Sequence, residues 1–302
     1  MDTRTLHAVL LPVTVCSLLG AAGAAGQGPP TSGDNPADAL PDRPSDKHGY
    51  TLLDPTPRAL MRGLSTDRPD ATESPFSVDA GHVQIEMSFL EYVREGDGPR
   101  TDTLAFAPLN LKLGLLNNTD LQLVFTPWTD EDTRGGARVT GVGDTVVRLK
   151  MNLWGNDPAD DSPGRTAFAF MPFMSFPTGD DALSSGRIEG GLIFPFAAEL
   201  PGGFGLGLMA EVDFVYDSDA AAYQTDFVHT AVVGRDLTEA LGVFVEYFGA
   251  ENLSTSDGYR ASLNAGVTYA IGVDIQLDAG VRFGLTRAAE DFTVFAGMSC
   301  RY

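Results

Sequence analysis

The sequence predicts an all-β protein: a closed antiparallel transmembrane β-barrel of about twelve strands, preceded by an N-terminal non-barrel segment. Three observations predict it. From His82 onward, apolar and polar residues alternate in a dozen short runs. The connections between those runs alternate between long and short. The last run, "FTVFAGMSCRY", ends with Tyr302 on an apolar face.

Taken in order, "MDTRTLHAVLLPVTVCSLLGAAGAAG" has one basic residue, an apolar centre and small residues at Ala22 and Ala24, so residues 1–26 read as a secretory signal peptide. A lipoprotein signal would use Cys16, but Val15 before it is bulkier than that cleavage prefers. With the signal removed only Cys300 would remain, so no disulfide within the chain is expected. Residues 27–55 are dominated by Pro, Asp, Gly and Ser and read as a disordered linker. Within 56–81, "TPRALMRGL" offers a Thr cap, a first-turn Pro and a terminal Gly for a short helix. "STDRPDATESPFSVDAGH", residues 65–82, then crowds acids, an arginine and prolines together with no period at all.

The barrel is expected over 82–302. "HVQIEMSF" sets Val83, Ile85, Met87 and Phe89 against Gln84, Glu86 and Ser88, the period-2 pattern of a strand with one apolar face. "PLNLKLGLL", "DLQLVFT", "TVVRLKMNL", "FGLGLMAEVDFVY", "ALGVFVEYF" and "VDIQLDAGVRFG" repeat it. The strands fall at about 82–94, 102–116, 120–129, 143–154, 165–176, 187–199, 204–216, 223–235, 240–249, 259–269, 273–284 and 291–302. The alternation slips near Leu90 and near Ala107–Pro108, which predicts bulges. Odd-numbered connections such as "DEDTRGGARVTG" are long, even-numbered ones such as "NNTD" and "PGG" tight, and "GNDPADDSPG" is the one long exception. Outer-membrane barrels sort their loops this way.

A sheet survives in lipid only by closing on itself, because no backbone amide can be left unpaired there. Its side chains then divide into a lipid face and a lumen face. The face carrying Lys112, Arg148, Lys150, Glu211, Asp213, Glu246, Asp278 and Arg282 must be the lumen, since a basic residue at mid-bilayer costs about 2–4 kcal/mol. These eight are the candidate solute-path residues. Three of the bases, Lys112, Arg148 and Lys150, lie on strands two and four and three of the acids, Glu211, Asp213 and Glu246, on strands seven and nine, so a closed barrel would set them face to face across the pore.

Little else suggests chemistry. A net charge of -21, from 41 acidic and 20 basic residues, argues against a nucleic-acid partner. Histidines 7, 48, 82 and 229 share no metal-ligand spacing, and neither metal nor cofactor is expected. His229 with Asp226 or Asp236 has no serine in a nucleophile turn, so a solvated histidine near a strand middle is the better reading, and the protein is not expected to be an enzyme. "GVGD", residues 141–144, has no following helix to hold phosphate and reads as a bend.

"STDRPDATESP" with "GHVQIE", followed by "PLNLKLGL", "GVGDTVVRLK", "PFMSFPTG", "EGGLIFPFAAELPGGFGLGLMAEVD" and "VDIQLDAGVRFGLTRAAEDFTVFAGMS", resembles the transporter-like outer-membrane family named "putative MetA-pathway of phenol degradation" over residues 64–302. The resemblance implies a bacterial outer-membrane barrel and a link to aromatic compounds. The expected function is passive passage of small solutes, aromatic or apolar ones among them. A structural barrel with a closed lumen and a soluble secreted β-barrel that binds a ligand are the alternatives. Expected partners are outer-membrane lipid, a small solute, and the assembly machinery, reached through the strand ending in Tyr302. Within 65–82, Asp67, Arg68, Asp70 and Glu73 are candidates for a lumen plug whose carboxylates would meet Lys112, Arg148 or Lys150. A bare linker is the competing reading.

Overall fold

The computed structural model describes residues 47–96, 98–157, 164–255 and 258–302. The predicted signal peptide, Cys16 and residues 27–46 of the predicted linker lie outside the described residues.

The barrel begins with β1 (Val83–Glu95) and ends with β15 (Phe292–Arg301), and these two pair antiparallel to close it. The second, third and fourth staves are each broken in two: β2 (Thr101–Phe106) and β3 (Leu109–Leu116), β4 (Thr119–Phe125) and β5 (Trp128–Thr133), β6 (Arg138–Gly141) and β7 (Thr145–Trp154). Unbroken staves follow: β8 (Thr166–Phe176), β9 (Glu189–Leu200), β10 (Phe204–Asp217), β11 (Ala222–Asp236), β12 (Leu241–Asn252), β13 (Arg260–Ile271) and β14 (Ile275–Gly284). The ladder runs β15 back through β7, then β4, β3 and β1, which makes twelve antiparallel staves.

The breaks have local causes. Ala107, between β2 and β3, takes a φ of 54°, and β1 bulges between Ser88 and Leu90. Gly143 lies between β6 and β7, in the predicted bend. Above the breaks, β1, β2, β5 and β6 continue as a separate ladder with the ion pairs Arg94–Asp102 and Arg138–Asp130 on it. Charged pairs of this kind belong in water, so this ladder stands clear of the hydrocarbon.

Below it the two faces separate sharply. Lys150 and Glu246 are 0% exposed, whereas Val245, beside Glu246 in sequence, is 53% exposed. Leu121, Leu153, Leu208, Leu263 and Val294 are likewise exposed on the outer surface. The apolar belt meets lipid and the charges face the lumen. Val245→Arg should therefore cost about 2–4 kcal/mol in reversible folding into lipid vesicles. Leu253→Arg, in the loop after β12, should cost close to nothing.

The N-terminal segment departs from expectation in two places. Only a single 3-10 turn, Arg58–Leu60, forms where a short helix was predicted. Residues 47–55, predicted as linker, lie against the short-turn end of the barrel: Thr51 bridges to Leu116, and Leu52 N–H donates to Leu115 O at 2.8 Å.

Candidate functional site

Residues 66–80 lie inside the barrel, and all but Phe76 are buried. The segment enters and leaves at the end that carries the start of β1 and the end of β15, so it forms a luminal loop. Its path can be followed by its partners. Thr66 and Arg68 meet Gln276 and Asp278 of β14, and Asp67 meets β1, β3 and β7. Ala71 and Thr72 reach β12 and β11, and Glu73 crosses to β7 and β10. Pro75 and Val78 return past Asn152 of β7 and Asp120 of β4.

The loop carries the charges that the wall lacks. Asp67 bridges the ammonium groups of Lys112 and Lys150, the latter at 2.6 Å, while its own N–H donates to Glu86 at 2.8 and 3.0 Å. Arg68 donates from Nε and Nη2 to the two oxygens of Asp278 at 3.0 and 2.7 Å and from Nη1 to Ser88 at 2.5 Å. Arg148 Nη1 donates to Glu73 at 2.7 Å. Asp70, the fourth plug candidate, departs from expectation: it is buried, and neither of its carboxyl oxygens meets a base or a hydrogen-bond donor. Glu246 is met without a cation: Ala71 N–H donates to both its oxygens at 2.9 and 2.7 Å, the Thr72 hydroxyl at 2.6 Å and Asn264 at 2.5 Å. A buried carboxylate costs several kcal/mol unless paired or hydrogen-bonded throughout, and this one is hydrogen-bonded from the loop.

This arrangement corrects the expected face-to-face field. The bases of β3 and β7 do not look across open space at the acids of β10 and β12, because the loop lies between them and takes up the charge of the bases. Of the remaining candidates, Glu211 and Asp213 face inward from β10, and Arg282 sits 3.6 Å from Glu290. His229 is also corrected. It lies on the outward parity of β11, with Tyr259 Oη 2.9 Å from Nε2 and the Phe227 and Tyr247 rings beside it. Gly249 makes room for this group, since a Cβ there would sit 2.1 Å from Tyr259 Oη.

A clasp that sequence reasoning missed holds the loop at its base. Lys47 meets Asp79 at 3.0 Å and Asp157 at 2.6 Å. Arg62 donates to Asp157, to Asn117 and to the carbonyl of Ser77, and Arg301 donates to the carbonyl of Arg62. Burial alone would raise the carboxyl of Asp157, but Arg62 and Lys47 together hold it below the usual range. No periodicity marks these residues.

The loop also needs two glycines. A Cβ at Gly114 would lie 2.0 Å from the carbonyl oxygen of Asp79, and one at Gly297 would lie 2.3 Å from Arg68 Nη2. Gly114→Val should leave the strand ladder intact and displace the loop's tail. The measure is limited proteolysis from the short-turn end: cleavage within 66–80 should appear in the variant and be absent in the parent.

Among the described residues, no group of three or more His, Cys, Asp or Glu side chains is set to hold a metal ion. A family model described as "Putative MetA-pathway of phenol degradation" matches residues 66–302. No curated protein sequence matches the chain. Among solved structures, an outer membrane channel from Pseudomonas putida F1 superposes with a TM-score of 0.58 at 13% identity, over 79% of this chain and 100% of that one. The NanC porin overlaps more loosely, with a TM-score of 0.48 at 10% identity, over 72% of this chain and 98% of that one. The first likeness shows the fold, a closed outer-membrane β-barrel.

Proposed function

This chain belongs to the family described as "Putative MetA-pathway of phenol degradation", and we propose that it is a passive channel of the bacterial outer membrane. It would pass small solutes, aromatic and apolar ones included, and would not be an enzyme. The observation that carries the reading is a lumen lined with charge, in which a docked loop supplies the ion-pair partners of Arg148, Lys150 and Asp278 and shares Lys112 with Glu86 of the wall. A wall built for permanent closure could be apolar, since replacing buried ion pairs by packed apolar groups is often neutral or stabilising. In this reading the luminal loop is a plug held by Asp67, Arg68 and Glu73. The path that opens when the loop withdraws would run past Lys112, Arg148, Lys150, Glu211, Asp213, Glu246, Asp278 and Arg282.

Liposome swelling with sugars, amino acids and phenols tests it. At least one class should enter faster than into protein-free liposomes, and charge selectivity should fall when Lys150→Gln and Glu211→Gln are combined. No swelling with any solute would favour the second reading, a structural barrel with a closed lumen. The density of ion pairs around Asp67 supports that alternative.

Assembly follows from the seam. Tyr302 N–H donates to Val83 O at 2.8 Å, so the last residue joins the closure ladder. The exposed Tyr302 ring would be read by the assembly machinery, and Tyr302→Ser should lower the yield of folded barrel in the outer membrane several-fold.

A further inference from the structure

Where the luminal loop meets β12, two buried carboxyl groups have one supply of donors. Glu246 takes the Ala71 N–H on both oxygens at 2.9 and 2.7 Å, the Thr72 hydroxyl at 2.6 Å and Asn264 of β13 at 2.5 Å. Asp70 directly precedes Ala71, so its backbone adjoins the same carboxylate. Its own side chain is 3% exposed, and neither Oδ1 nor Oδ2 has a hydrogen-bond partner.

The bases around the loop are turned to other acids. Arg68, two residues earlier, gives its guanidinium to Asp278 of β14 and Ser88 of β1. Lys112 and Lys150 are held by Asp67, and Arg148 by Glu73. Arg260 of β13 lies 3.0 Å from Asp226, and Arg282 of β14 lies 3.6 Å from Glu290. The Thr230 hydroxyl of β11 meets Thr72, while Ser262 and Asn264 of β13 meet each other and Glu246. The charged groups that act on Asp70 most strongly are themselves acids: Glu246, and Asp67 and Glu73 of the loop. Burial first, and then Glu246, hold its carboxyl well above the usual carboxylate range.

We propose that the loop takes up a proton at Asp70 when it docks, so that acid holds it in the lumen and rising pH releases it. The docked site accepts the neutral carboxyl, because an ionised one would be enclosed with neither a donor nor a counter-charge. In the undocked loop water solvates Asp70, which then ionises near the ordinary value of about 4. Below about pH 4 the carboxyl is protonated in both states, and docking is strongest. Above it, docking draws one proton from solution. The ratio of docked to undocked loop then falls by up to about tenfold per pH unit, until the docked carboxyl itself ionises. The proposal rests on the plug reading and adds what controls the plug.

The test is limited proteolysis of the full chain in detergent, with a broad-specificity protease, from about pH 5 to about pH 8. A free peptide of the same loop sequence corrects for the protease's own pH profile. Cleavage within 66–80 tracks the undocked population when docking is fast. In the parent it should rise with pH, by up to about tenfold per unit. In Asp70→Asn, whose amide has the shape of the neutral acid, the slope should be smaller by one proton. At about pH 8 the variant should be cut at least about tenfold more slowly than the parent. Protons taken up elsewhere in the lumen leave the same slope in both proteins, so the difference belongs to Asp70. Cleavage that ignores pH in the parent, or equal slopes in parent and variant, would overturn the switch. Heat-modifiable migration checks that the variant is folded, and Asp70→Ala is read in the same way should Asp70→Asn not fold. Conductance of the parent in planar bilayers over the same range separates the two readings. Absence of current at every pH, with cleavage still following pH, counts against passage alone; current with cleavage that ignores pH counts against the switch alone.

Discussion

Excising residues 65–79 should raise time-averaged conductance in planar bilayers by about two orders of magnitude. The loop touches β1, β3, β4, β7, β10, β11, β12 and β14, which leaves little of the circumference free. Withdrawing it from the intact protein would break buried pairs, and losing one partner of such a pair costs about 3–5 kcal/mol. That keeps the undocked fraction below about 1%. Deletion removes the restraint and also lets water reach Lys112, Arg148 and Lys150, so the bases left behind are hydrated and the barrel keeps its ladder. Its thermal stability should fall only modestly, because the loop contributes no strand pairing. Unchanged conductance together with unchanged stability would mean that the loop is not what closes the lumen.

The architecture was legible in the sequence wherever one face is oily and the other wet. β3, β7 and β10 alternate cleanly, and their polar members, Lys112, Lys150 and Glu211, stand inside. β8 and β9 were harder to read, because "FAFMPFM" and "LIFPFAA" are apolar on both faces. There the lumen itself is apolar, lined by Met171 and Ile193. His229 was placed wrongly for a related reason. Val228, Thr230 and Val232 face inward and His229, Ala231 and Val233 outward, so neither set announces its side by polarity.

What the loop does was only partly visible. Its charged residues stood out by density, but its hold on Glu246 runs through the N–H of Ala71, which any residue except proline could supply. The clasp of Lys47, Arg62 and Asp157 joins positions up to 110 apart in sequence with no period between them. Contacts of that kind exist only once the barrel has closed and brought its short turns together.

Asp67→Asn should be the most damaging single substitution in the loop. This carboxylate alone makes a direct ion pair with Lys150, shares Lys112 with Glu86, and accepts the N–H of Ser74 at 3.1 Å. Neutralising it leaves a fully buried ammonium without its counter-charge, a loss of about 3–5 kcal/mol. That is enough to shift loop docking by about 100-fold or more. Conductance should rise towards that of the deletion, and proteolysis should cut within 66–80. Combining it with Lys150→Met should recover much of the docking, because the stranded charge goes with its partner. A cycle of the two single variants and the double isolates that coupling. Simple loss of a packing contact would make the two substitutions additive, whereas an ion pair makes the double variant better docked than Asp67→Asn alone. Lys112 is the internal control: with Glu86 still 2.5 Å away, Lys112→Met should rescue Asp67→Asn less well than Lys150→Met does.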